Sequence, residues 1–174
     1  DMLLNEIKAG NITALIARAP EFYGPRNTQS GVNAMVFDNI RKGKKIQWLV
    51  NDKVQRTYIY TPDAAKATAV LGNTSSAYNQ TWHLPCSDEF INGEQFIKLT
   101  EAAYGKSLKY TVLSKWMLKL VGLFVPVVKE IIELLYQYDQ DYVFDSGKFK
   151  KAFPDFTITP YKKGIEEIVA EIKR

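Results

Sequence analysis

Histidine and cysteine are almost missing: His83 and Cys86 are the only ones among the 174 residues. One cysteine excludes an intrachain disulfide and fits a reducing compartment. With no second histidine or cysteine, no metal-ligand spacing exists, and no metal is expected. A base needs an orienting partner, and His83 has only Asp88 and Glu89 near it in sequence, so it reads as a structural strand residue. Cys86 has no cationic neighbour in the local sequence and reads as a small buried side chain.

Long apolar runs are missing too. The nearest candidate, Trp116 to Tyr136, carries Lys119, Lys129, Glu130, Glu133 and a central Pro126, which fails the roughly 20 predominantly apolar residues that a spanning helix needs. The opening DMLLNEIKAG has no charged segment ahead of an apolar run, so it does not read as a signal peptide. The expectation is a cytoplasmic protein that does not enter a membrane. Positive charge is modest, a net +4, and dispersed: Arg41-Lys42 with Lys44-Lys45, and Lys148-Lys150-Lys151, are short groups. They read as solvated helix ends, not as a nucleic-acid surface, which needs a longer basic face with stacking aromatics. Also absent are Gly-x-x-Gly-x-x-Gly, a Walker loop and Tyr-x-x-x-Lys.

What is present is a chain that is 46% apolar, enough to bury a core and of a size for one domain, or one small lobe plus a piece of another. Met2 to Lys8 has helical spacing, stopped by Gly10-Asn11. Beginning inside a helix, the sequence reads as a piece of a longer chain. Thr13 to Ala17 reads as a buried strand, and Arg18 to Pro25 as the loop at its carboxyl end, where open α/β sheets bind ligands. A helix is expected over Val32 to Ile40, then strands over Ile46 to Val50 and Val54 to Tyr60. The next helix, Ala64 to Leu71, offers either Thr61 or Asp63 as its N-terminal cap. Further expectations are a strand over Gln80 to Pro85, a helix over Gly93 to Tyr104 closed by Gly105, and an edge strand over Leu108 to Leu113. Helices then follow over Ser114 to Leu123, Pro126 to Tyr138, Ser146 to Ala152 and Tyr161 to Ile172. The pair at 114–138 is more apolar than one core-facing stripe requires and is expected to pack on two sides.

Read together, the segments RAPEFYGP, RTYIYTPDAAKA, QTWHLP, VPVVKEIIELLY, YVFDSGKFKKAFPDF and TPYKKGIEEIV resemble, in order, those of the NAD-dependent epimerase/dehydratase family, the extended short-chain dehydrogenases. The resemblance implies an α/β fold: the C-terminal portion of such a protein, with its last Rossmann helix and strand plus a mixed α/β substrate-binding lobe. Residues 1–25 would be the Rossmann remnant and 26–174 the substrate lobe, with Ala64–Leu71 and Gln80–Pro85 packing back on the Rossmann part. The loop after the family's sixth strand lies along the nicotinamide, which makes Ala19, Pro20 and Phe22 candidate cofactor contacts. Arg56 stands where sugar-nucleotide members place an arginine on the diphosphate. Glu21 replaces an asparagine that faces substrate, and its charge shifts the expectation toward a neutral or cationic small hydroxyl or carbonyl compound. Trp116, Met117, Leu120, Phe124, Ile131, Leu135 and Tyr136 are candidates to roof an apolar pocket, with Glu130 as a polar group inside it.

The resemblance also implies what this stretch lacks. The catalytic tyrosine and the dinucleotide fingerprint belong upstream of residue 1. NAD or NADP is therefore expected in the complete protein and no cofactor on this chain alone, which by itself would be inactive. Two alternatives stand beside this: a non-catalytic interaction module using the helix pair, and a lobe whose bare surface, strongest at Thr13 to Ala17 and Ala64 to Leu71, is covered in a homodimer or swapped dimer.

Overall fold

The computed structural model describes residues 2–26 and 30–174, with nothing said of the side chains of Val127 and Ile131. Six short strands form three parallel pairs, and parallel neighbours require crossovers, which the helices supply. After helix α1 (Met2–Lys8), strand β1 (Ile16–Arg18) pairs with β5 (Thr81–His83), setting Ile16 against Thr81 and Arg18 against His83. The chain bends at Ala19-Pro20 and continues as β2 (Glu21–Tyr23), which pairs with β4 (Tyr58–Tyr60). Half of the expected loop over 18–25 is therefore strand, Arg18 and Glu21–Tyr23. Strand β3 (Ile46–Leu49) pairs with β6 (Tyr110–Leu113), and β6 runs parallel to it in register over all four residues.

Helix formation at 33–41 begins as a π-turn over Asn33–Phe37 and relaxes into α2 (Asp38–Arg41). Helix α3 (Thr61–Gly72) starts without a side-chain cap. Neither residue expected at that position acts as one: Thr61 donates to the Tyr23 carbonyl at 3.1 Å, and the buried Asp63 accepts from the Thr159 amide (2.6 Å) and hydroxyl (3.0 Å). A carboxylate with a distant donor pair has left the local one. Helix α4 (Gly93–Tyr104) has the full capping box, Asn92 with Gln95, and ends on Gly105 at φ 84°. Helices α5 (Lys115–Gly122) and α6 (Pro126–Ile132) form a hairpin, followed by a 3₁₀ turn at Leu135–Tyr138. Helices α7 (Gly147–Ala152) and α8 (Tyr161–Ile172) complete the chain.

Strand β4 divides two cores. All three of its residues are buried, and alternation sends Tyr58 and Tyr60 to one side and Ile59 to the other. On the first side, fully buried Phe96 of α4 lies within 6.0 Å, ring centre to ring centre, of Tyr23, Phe37, Trp48 and Tyr58. Helix α8 closes against the same rings at Gly164, where an added Cβ would stand 2.8 Å from the Tyr23 hydroxyl. Its first residue, Tyr161, accepts the Tyr58 N–H at 2.9 Å and donates to the Tyr58 carbonyl at 3.2 Å, so the helix is fastened to the strand. On the second side, Ile59, Ala67, Leu71, Trp82 and Cys86 surround Phe149 of α7. The inward face of α3 is thus covered, whereas Thr13 and Ala17 are exposed.

Candidate functional site

The site is built where β2 and β4 run side by side. Register sets Glu21 opposite Tyr58, and Arg56, two residues before Tyr58, falls on the same face by the period of a strand. Arg56 is held from both flanks: its amide donates to the Ile91 carbonyl at 3.0 Å, and the next amide, Thr57, donates to Tyr142 at 3.0 Å. The side chain is only 4% exposed. Its Nη2 lies 3.6 Å from Glu21 Oε2, Nη1 donates to the Gln137 carbonyl, and the guanidinium stacks over Tyr138 at 4.3 Å and Tyr142 at 5.5 Å. Nε has no partner among the described residues.

Glu21 keeps 16% of its side-chain exposure, yet both carboxylate oxygens are sealed and neither makes a hydrogen bond of ordinary geometry. Burial raises its pKa above the usual carboxylate value. The Arg56 charge opposes that rise first, and the nearby Val32 amide and Tyr138 hydroxyl add to the opposition. The Tyr138 hydroxyl is pushed up to about 12, by burial first and by the Glu21 charge second. Glu21, Val32, Met35, Trp48, Leu49, Tyr58 and Tyr138 enclose a cavity with about 10 Å³ open to a water centre, room for one water molecule. The arrangement is a desolvated acid and a phenol lining a small void, with the acid paired to a buried guanidinium that Gln137, Tyr138 and Tyr142 cover.

Of the residues singled out by sequence, the structure brings Glu21 and Arg56 together. Ala19 is half-buried, Pro20 buried and Phe22 is 36% exposed. Phe22 pairs with Ile59, so it faces away from the Glu21 carboxylate. Trp116, Glu130 and Tyr136 do not join the pair. All three are exposed on the α5–α6 hairpin, Trp116 to 64%. Phe124 is exposed to 86%, while among the described side chains there Leu118 and Leu135 are the buried large apolar ones. The expected roof therefore does not close over a pocket; the hairpin packs on itself through Gly122 against Ile132, and the side chain of Ile131 lies outside the described residues. The residues that do cover Arg56, namely Gln137, Tyr138 and Tyr142, were not among the sequence candidates. Their signal was the tyrosine spacing of four at 138 and 142 beside a buried arginine, legible only once Arg56 is known to be buried.

His83 sits at the end of β5, its Nδ1 2.7 Å from the Asp145 carbonyl and its ring stacked on Phe144 at 4.4 Å. Cys86 is buried, and its thiol is pushed up to about 12 by desolvation, with Lys150 pulling weakly the other way. Among the described residues no group of His, Cys, Asp or Glu could hold a metal ion, and no helix is long and apolar enough to cross a membrane.

Part of the chain matches a known family, and its fold matches solved structures. Residues 1–82, from α1 through β5, match the NAD dependent epimerase/dehydratase family. No curated protein sequence matches the chain. Among solved structures, a UDP-glucuronic acid 4-epimerase from Bacillus cereus, in complex with UDP-glucuronic acid and NAD, superposes with a TM-score of 0.72 at 16% identity, covering 99% of this chain and 49% of that one. A dTDP-glucose 4,6-dehydratase from Bacillus anthracis, in complex with NAD, gives 0.72 at 15% identity, covering 99% and 48%. A UDP-glucose 4-epimerase from Thermus thermophilus, in complex with NAD, gives 0.71 at 15% identity, covering 99% and 50%. The chain spans about half the length of the solved structures it matches. Residues 1–82 thus match the NAD dependent epimerase/dehydratase family, and the chain as a whole has the fold of about half of these solved epimerases and dehydratases.

Proposed function

We propose that this chain is the substrate-binding part of an NAD(P)-dependent epimerase, dehydratase or reductase acting on a small hydroxyl or carbonyl compound. The observation that carries the reading is the Glu21–Arg56 pair, buried beside a void on two parallel strands of an epimerase-type fold. Two opposite charges taken out of water cost more than they return unless something besides stability retains them. A ligand hydroxyl in the void would donate to one of the orphaned Glu21 carboxylate oxygens. Arg56 is already neutralised by Glu21, so a diphosphate would have to displace the carboxylate; a neutral or cationic ligand would not.

In this reading residues 1–25 belong to the dinucleotide-binding part and 26–174 to the substrate lobe. The β1–β5 pair supports it, because Ala17 and Arg18 of β1 and Thr13 ahead of the strand are left exposed. Ala19, Pro20 and Phe22 would offer an apolar ledge with no charged side chain on it. Such a ledge fits the planar nicotinamide ring and not a phosphate. NAD or NADP supplies the hydride chemistry when bound; this chain's own residues bind and orient the substrate and exclude water. With neither Tyr-x-x-x-Lys nor the glycine fingerprint in residues 1–174, the chain alone would not turn substrate over.

The test follows the Trp48 indole N–H signal, since Trp48 lines the void, during titration with neutral polyols, amino sugars and UDP-sugars. Polyols or amino sugars should move it, and Glu21→Gln should abolish the response. A UDP-sugar that binds tighter than every neutral compound, and does so through Arg56, would overturn the substrate class.

A second reading is favoured by the hairpin. Its Trp116, Leu120, Leu123 and Phe124 are all exposed, as a protein-interaction module would require. Sedimentation of the chain and of Trp116→Ser/Phe124→Ser separates the two: self-association lost in the variant supports the module.

A further inference from the structure

Helices α2 and α4 end in the same way. Each stops on a glycine with positive φ, Gly43 at 62° and Gly105 at 84°, each glycine is followed by lysine, and each leads into a strand, β3 or β6. Because those strands are parallel neighbours with Ile46 opposite Tyr110, the two glycine-lysine turns meet at one end of the lobe. They enclose a cavity of about 300 Å³ lined by Ile40, Ile46, Leu108 and Tyr104, with Lys44, Lys45, Lys106 and Lys109 at its rim. That volume lies at the lower end of the range for small-ligand pockets, roughly 300 Å³ upward.

The lysines exceed what the helix ends call for. Each helix C-terminus presents about half a negative charge, so the two together account for about one ammonium, and four line the rim. Among the described residues none of the four lies within ion-pair distance of a carboxylate. The nearest acid in sequence, Glu101, is engaged through Oε1 by the Leu108 amide at 2.7 Å and the Ser107 hydroxyl at 3.2 Å. Lys106 and Lys173 also approach the Tyr104 ring, at 5.0 and 5.5 Å, with Lys173 anchored on the Ala103 carbonyl at 3.0 Å. Like charges are gathered around one aromatic ring, and the nearest carboxylate in sequence, Glu101, forms no ion pair with any of the four among the described residues.

We propose that this pocket binds a small organic anion with a planar apolar body, an aryl phosphate or carboxylate, whose ring packs on Tyr104, Ile46 and Leu108 while the acid group is held by Lys44, Lys106 and Lys109. The pocket lies at the amino end of β3, whereas Trp48 and Leu49 at its carboxyl end line the Glu21 void. The two sites share a strand and have separate linings, so this site does not depend on the substrate reading.

The test uses the chain with 1-naphthyl phosphate, inorganic phosphate and 1-naphthol as probes, read from the methyl NMR signals of Ile40, Ile46 and Leu108. Naphthyl phosphate should shift those methyls and bind at least roughly tenfold tighter than either fragment, with affinity falling as salt is raised. Lys44→Gln/Lys106→Gln should weaken it by roughly tenfold or more. Tyr104→Leu should weaken naphthyl phosphate while leaving inorganic phosphate unchanged. The lysines are exposed, and unchanged core signals from Ile165 and Ile168 confirm that the variants fold. Naphthol binding as tightly as its phosphate, shifts confined to other methyls, or an unaltered affinity in the double lysine variant would each overturn the proposal.

Discussion

The rings around Phe96 and the hairpin at 115–138 contain similar residues and put them to opposite uses. Phe96 and the four aromatic side chains around it, from five elements, are almost wholly buried, and glycines at 93 and 164 let helices approach them closely. On the hairpin, Trp116, Leu123 and Phe124 lie in solvent. Composition alone does not distinguish the two regions; topology does. The core draws on elements from the whole length of the chain, whereas the hairpin packs chiefly on its own second helix. Between the regions lies Arg56, which the 3₁₀ turn after α6 reaches back to cover.

The contrast is broken most severely by deleting one ring from each region. Phe96→Ala should cost about 3–5 kcal/mol in denaturant unfolding, and Phe124→Ala should stay within about 0.5 kcal/mol. A comparable cost, about 3–5 kcal/mol, is expected for Arg56→Met, which leaves the Glu21 carboxylate buried without its partner. Here pH gives the sign. Burial raises the Glu21 pKa, so the folded state holds its proton longer than the unfolded chain does. Stability therefore falls as pH rises from the ordinary carboxylate value through the raised one and then levels. Losing Arg56 raises that pKa further, so the defect should shrink on acidification. Glu21→Gln/Arg56→Met should recover most of the loss, as unfolding curves at acid and neutral pH would show.

Gly164→Ala should cost about 1–3 kcal/mol, by driving a methyl into the Tyr23 hydroxyl. The smallest perturbation is chemical. With its thiol held up to about 12 by burial, Cys86 should react with iodoacetamide at neutral pH far more slowly in the folded chain than in denaturant. Equal rates would show that the second core is open.

Much of this architecture could be read from the residues. Helices α4 and α8 have full apolar periods, and α4 also has its capping box and terminal glycine; both lie where those signals put them. The β2 strand did not announce itself, because three residues between Pro20 and Gly24 look like a turn. What makes them a strand is pairing with Tyr58–Tyr60, far along the chain. Asp63 misleads for the same reason, its partner Thr159 lying 96 residues away. At the candidate site Glu21 and Arg56 were each singled out through the family resemblance of the segments that carry them. Their pairing and the cover from Tyr138 and Tyr142 were not, since no local period links segments that the fold alone brings together.

The central claim, that these residues supply the substrate side of a dinucleotide-dependent enzyme and not the cofactor side, is tested most directly by calorimetric titration with NADH and NADPH. The titration is run on the chain itself and on the chain continued at its amino end with a dinucleotide-binding half. The account predicts heat of binding only in the longer protein. Tight binding of either nucleotide by the 174 residues alone would contradict it.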